Sequence, residues 1–88
     1  MALNKDQTKE HETIVLDGNE FIDCKFQNCE LVYCGGQPPK LQHCYFTQCS
    51  WKLDEAAKRT VLFLRSVYHS GPGGMELVEG TLKFIRAK

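Results

Sequence analysis

Large apolar residues recur every five positions through the first half of the chain. Leu16, Phe21, Phe26, Leu31, Leu41, Phe46 and Trp51 share one register, which breaks only at Gly36. All five cysteines, Cys24, Cys29, Cys34, Cys44 and Cys49, fall two residues before positions of that register. Five cysteines sharing one class of a five-residue period by chance has odds of roughly one in six hundred, so the repeat is a structural signal. Neither the 3.6-residue period of a helix nor the two-residue period of a strand keeps such positions on one face. A squared tube does, if each pentad forms one side, turns its apolar residue inward and fills the adjoining gap with a cysteine. Four sides close one turn, so residues four pentads apart stack. The predicted stacks are Phe21 on Leu41, Phe26 on Phe46, Leu31 on Trp51, Cys24 on Cys44 and Cys29 on Cys49, and these residues form the predicted core.

The segments FIDCK, FQNCE, LVYCG, LQHCY and FTQCS resemble the pentapeptide-repeat family, over about residues 14–51. The resemblance implies a short right-handed β-helix and concerns fold more than activity. Gly35, Gly36, Pro38 and Pro39 depart from the pattern and predict a loop where a regular side is expected. Repeat arrays usually need about three units to cover a core, so a tube this short needs a cap. A competing hairpin reading rests on Asp17-Gly18, a turn signal between apolar segments, but leaves the cysteine spacing unexplained.

From Asp54 the period changes. Ala56, Ala57, Thr60, Val61, Phe63, Leu64, Val67 and Tyr68 recur at spacings of three and four, which predicts an amphipathic helix over residues 53–70 with Asp54 as its cap. Gly71-Pro72-Gly73-Gly74 reads as a link, and a second helix is expected over residues 75–87, forming an antiparallel pair that caps the tube. The predicted class is therefore α+β: a pentapeptide-type β-solenoid over residues 13–52 and a C-terminal helical hairpin, in a single domain spanning residues 1–88. Leu62 lies on the charged side of the first helix, among Lys58, Arg59, Arg65 and His69. With Phe63 and Phe84 it marks an expected contact between subunits of a homo-oligomer.

Composition narrows the function classes. Lys plus Arg and Asp plus Glu number 11 each, so the chain has neither the basic footprint of a nucleic-acid binder nor marked acidity. Residues 1–12 are polar and aperiodic and are expected to be a flexible N-terminus. They hold no apolar signal segment, and no stretch approaches the roughly 18–20 apolar residues of a membrane span. The expected location is the cytoplasm, where thiols stay reduced. Five-residue steps do not match the close ligand pairs of zinc sites, so neither a metal nor a cofactor is expected, even with His43 beside Cys44. His11, His43 and His69 accompany no nucleophile or zinc-hydrolase motif, and Asp17, Glu20, Asp23 and Glu30 occupy outward positions, so no catalytic residue is assigned.

The remaining candidate cluster is Arg59, Arg65, Tyr68 and His69, followed by Gly73 and Gly74. Arginines supply charge, Tyr68 offers a stacking surface, and backbone N–H groups at a glycine-rich helix start can hold phosphate. Glu76 and Glu79 oppose an anion there, and GPGG matches no Walker loop. The segment from Arg59 to Arg86 is similar to stretches of small bacterial and phage proteins. That resemblance assigns no residue a role, and by analogy it implies a sponge for nucleotide immune signals. The leading expectation is a non-enzymatic oligomer sequestering a small phosphorylated or nucleotide-type ligand. The alternatives are a protein-interaction or scaffold module acting through its helical face and, third, a small enzyme acting on a nucleotide.

Overall fold

A computed structural model describes residues 2–88, and Met1 lies outside the described residues. The fold is α+β, with nine strands followed by two helices. The strands are β1 (Ala2–Lys5), β2 (Thr8–Glu10), β3 (Thr13–Val15), β4 (Asn19–Ile22), β5 (Lys25–Gln27), β6 (Glu30–Tyr33), β7 (Lys40–Gln42), β8 (Tyr45–Thr47) and β9 (Ser50–Leu53). Each pairs in parallel with the strand three places along, giving three three-stranded sheets: β1-β4-β7, β2-β5-β8 and β3-β6-β9. Consecutive strands therefore form tiers, β1–β3, β4–β6 and β7–β9, each lying in register on the next.

The register carries the expected stacks. Phe21 pairs with Leu41, Phe26 with Phe46 and Leu31 with Trp51. Phe21, Phe26 and Leu31 come one from each sheet and meet in a single buried cluster with Leu16, Cys24 and Cys29. Close packing of these side chains is the main apolar contribution to the fold. Four of the five thiols follow one rule. Each of these donates to the carbonyl two residues back and to the carbonyl of an inward residue in the preceding tier: Cys24 to Asn4 O (3.5 Å), Cys29 to Lys9 O (3.4 Å), Cys44 to Phe21 O (3.4 Å) and Cys49 to Phe26 O (3.3 Å).

The corners between strands are made by residues in the left-handed region: Asp6, His11, Asp23, Asn28, His43 and Gln48, with φ from 50° to 54°. Asp, Asn and His tolerate that region better than most residues. Its cost is offset by ladder bonds such as His11 N–H to Gln27 O (3.0 Å) and Asn28 N–H to Thr47 O (2.9 Å). In the second and third tiers each of these corner residues directly precedes a cysteine, which the pentad register places but does not explain.

The expectation for the N-terminus is corrected. The first strands lie in residues 2–10, inside the stretch expected to be a flexible N-terminus. Asn4, Lys9 and Ile14 occupy the inward register opposite Phe21, Phe26 and Leu31, so polar residues hide the repeat there. The loop expected at Gly35, Gly36, Pro38 and Pro39 is found, and the segment that links one tier to the next carries no strand. Leu16–Gly18 makes it after β3, and residues 34–39 make it after β6. That difference shortens the offset between the first two tiers (Phe21 over Asn4) relative to the next two (Leu41 over Phe21). Asp17-Gly18 joins β3 to β4, which belong to different sheets, so the hairpin does not form.

Asp17 ties this side together. Its carboxylate accepts the Cys34 N–H (2.9 Å) and the Gly36 N–H (2.6 Å), while Gly18 N–H reaches Gln37 O (2.8 Å). Gly35 has φ +90° and lies where a Cβ would come within 2.6 Å of the Ala56 Cβ, so glycine is required.

The chain divides into two compact units at Lys58 and Arg59. Helix α1 (Glu55–Tyr68) starts where Asp54 accepts the Glu55 N–H on its side chain (2.9 Å). Helix α2 (Pro72–Arg86) begins three residues earlier than expected, because Pro72 fits the first helical turn, where its missing N–H has no partner to lose. Gly74 lies against the Val67 carbonyl so closely that a Cβ would overlap it. Neither helix has a buried residue, so their apolar stripes are not packed as a closed antiparallel pair would pack them. No helix among the described residues is long and apolar enough to cross a membrane.

Candidate functional site

The expected ligand cluster is only partly assembled. Arg65 and His69 are one helical turn apart, and the Tyr68 and His69 rings meet edge to face with centroids 5.3 Å apart. Arg59 and Tyr68 are separated by about two and a half turns, which puts them on opposite sides of α1. Gly73 and Gly74 belong to the first turn of α2 rather than to a free loop. Pro72 has no N–H, and the N–H groups of Gly74 and Met75 both donate to Gly71 O (3.1 Å each). Gly73 alone is left to offer a backbone donor, which is too little for a phosphate cradle. Glu76 and Glu79 lie beyond this first turn, which contains no acidic residue.

An open groove of about 540 Å³ runs down one corner of the strand unit. It is lined by the stacked corner residues His11, Asn28 and Gln48, beside Glu12, Glu30 and Ser50. The thiols at its floor, Cys29 and Cys49, are engaged with backbone carbonyls and face inward. Among the described residues no group of three His, Cys, Asp or Glu is placed to hold a metal ion. At the adjacent corner His43 Nδ1 stands 3.5 Å from Asp23 Oδ1, an exposed pair. Such a pair contributes little when solvated.

Among the described residues two groups are electrostatically perturbed, and both belong to the loop clamp. The Cys34 N–H, seconded by that of Gly36 against the opposing effect of burial, holds Asp17 below the usual carboxylate range. Burial, then the charges of Asp17, Glu55 and Asp54, push the Cys34 thiol up. Both shifts arise where the Asp17 carboxylate accepts the Cys34 and Gly36 N–H groups.

The chemistry this molecule does display is apolar. Leu62, Phe63 and Phe84, expected at a subunit contact, are 47%, 60% and 80% exposed. Leu41, Phe46 and Trp51, expected in the core, are 39%, 37% and 58% exposed, because no further tier lies on the third. Cys44 and Cys49 are correspondingly only half-buried. The same register position is therefore fully core in the second tier and open to solvent in the third. The pentad pattern assigns both to the core because it records which way a side chain points and not how many tiers cover it.

No protein-family model matches the chain, and neither a curated protein nor a solved structure is significantly similar to it.

Proposed function

We propose that this protein is a non-enzymatic assembly module, a short pentapeptide-repeat-like β-solenoid with a helical hairpin, whose activity is contact with other protein surfaces. One observation carries the reading. Among the described residues fifteen large apolar side chains are exposed, against seven residues in the buried core. Scattered apolar residues are normal on a surface, but an excess of this size, concentrated on the third tier and the two helices, marks interaction surface.

Sequestration of a phosphorylated or nucleotide-type ligand is the second reading, and the Tyr68–His69 contact beside Arg65 is what favours it. The two separate in one experiment. Light scattering after size exclusion should show an assembly, while calorimetric titration with mono-, di- and cyclic dinucleotides gives no heat. A monomer that carries no associated protein and takes up a nucleotide with measurable heat would replace the first reading by the second.

A further inference from the structure

The two ends of the strand unit are chemically opposite. At the first tier the inward register holds Asn4, Lys9 and Ile14, and the positions matching the cysteines are Gln7 and Glu12. At the third tier the same positions hold Leu41, Phe46 and Trp51, with Cys44 and Cys49 between them. Polar residues at inward positions cost packing unless they face water, so the first tier is built as a solvent-facing terminus. The third tier carries the residue types of an interior layer, yet Leu41, Phe46 and Trp51 are exposed. Phe46 stacks on Phe26 at 5.2 Å with planes 7° apart and meets Trp51 at 5.0 Å, yet it remains 37% exposed. Strands β7, β8 and β9 each have a neighbour on one side only, so their outer edges also offer unpaired backbone groups.

Resting on the reading of the protein as an assembly module, we infer that the third-tier end is a homodimer interface, and that its occupant is the same end of a second copy. The end-to-end asymmetry selects this occupant. A head-to-tail stack would set Leu41, Phe46 and Trp51 of one copy against Asn4 and Lys9 of the next, which leaves the lysine desolvated. Apolar against apolar satisfies both copies, and the polar first tiers, now at the two outer ends, stop growth. The result is a closed two-fold dimer rather than a fibre. The three side chains expose roughly 300 Å² per copy, taking about 200 Å² for a large side chain. This is well below the roughly 800 Å² per partner of a standard stable interface, so the dimer is weak and reversible.

Trp51 is the only tryptophan in the chain, which makes the interface spectroscopically visible. Sedimentation velocity on the intact protein, from sub-micromolar to hundreds of micromolar, should show a monomer passing to a dimer and no larger species. Over the same range Trp51 emission should shift to the blue and its quenching by iodide should fall. Trp51→Glu replaces a side chain that is already mostly exposed, so circular dichroism should be unchanged while the dimer weakens at least tenfold. Leu62→Glu should leave the Trp51 signal as it is. In the opposite direction, Lys9→Phe removes the charge from the inward register of the first tier and should produce species larger than a dimer. A dimer that survives Trp51→Glu but is lost in Leu62→Glu overturns the inference and leaves the assembly reading standing through the helices. A monomer at every concentration, with unchanged Trp51 quenching, also overturns it. If that monomer holds no other protein, the assembly reading fails with it.

Discussion

Phe26 and Phe46 lie ring on ring, 5.2 Å apart and within 7° of parallel, yet the first is fully buried and the second is 37% exposed. The same residue type at the same register position thus differs only in what covers it, which separates packing from chemistry. Truncating Phe26 opens a cavity at the centre of the three sheets and should cost about 3–5 kcal/mol, a large part of the stability of so small a chain. Phe46→Ala should cost well under half as much in the monomer. Urea denaturation of the two variants, with Phe26→Leu as a milder case should Phe26→Ala fail to fold, measures the difference. Equal losses at the two positions would show that the third tier is as enclosed as the second.

Asp17 should make the fold acid-sensitive. The Cys34 and Gly36 N–H groups lower its folded-state pKa, so its contribution is full above the ordinary carboxylate value. That contribution is lost as pH falls below about 4 toward the depressed folded value. Asp17→Asn keeps one acceptor but sets an NH₂ group against a backbone N–H. The variant should therefore be less stable at pH 7 and should lose stability less steeply on acidification. Thermal unfolding followed from pH 7 to pH 3 tests the slope, and an unchanged slope would mean that other carboxylates govern acid unfolding.

Gly35 has a positive φ and a backbone that abuts Ala56 and Ala57. Gly35→Ala combines the strain of a left-handed alanine with a Cβ at 2.6 Å from both the Ala56 Cβ and the Ala57 nitrogen. It should cost about 2 kcal/mol or more. Gly18→Ala, also at positive φ but with open space around the missing Cβ, should cost only the backbone strain. Comparing the two denaturation midpoints isolates the clash.

The five-residue register was legible because every inward position from Leu16 to Trp51, apart from Gly36, is apolar, and because the cysteines repeat with it. The break at Gly35-Gly36 was legible from its glycines and prolines. The first tier was not, since Asn4, Gln7, Lys9 and Glu12 replace the apolar signal where the stack meets water. The corner residues were hidden for another reason: Asp23 reads as an ordinary outward carboxylate, and nothing in the sequence marks Asn28, His43 and Gln48 as corners until their positive φ values show their role. The start of α2 was missed because Gly73 and Gly74 are poor helix formers, while Pro72 supplies a good first turn and Gly74 permits close approach to Val67. The proposed ligand cluster joined residues by nearness in sequence, and helical rotation carries Arg59 away from Tyr68.

The thiols provide a test of the tiers that needs no mutation. Cys24 and Cys29 are enclosed between tiers, whereas Cys44 and Cys49 occupy the open end and are half-buried. Cys34 is comparably accessible, but burial and the neighbouring Asp17, Glu55 and Asp54 charges favour its protonated form. Alkylation proceeds through the thiolate, so access and ionisation act together. In dilute protein at pH 8, pulse alkylation read by peptide mass spectrometry should modify Cys44 and Cys49 first and Cys34 later. Cys24 and Cys29 should react only as fast as the fold opens. Adding a sub-denaturing amount of urea should accelerate the last pair most, because their modification waits on unfolding rather than on ionisation. Early modification of Cys24 would place it outside the core and break the correspondence between tier and protection.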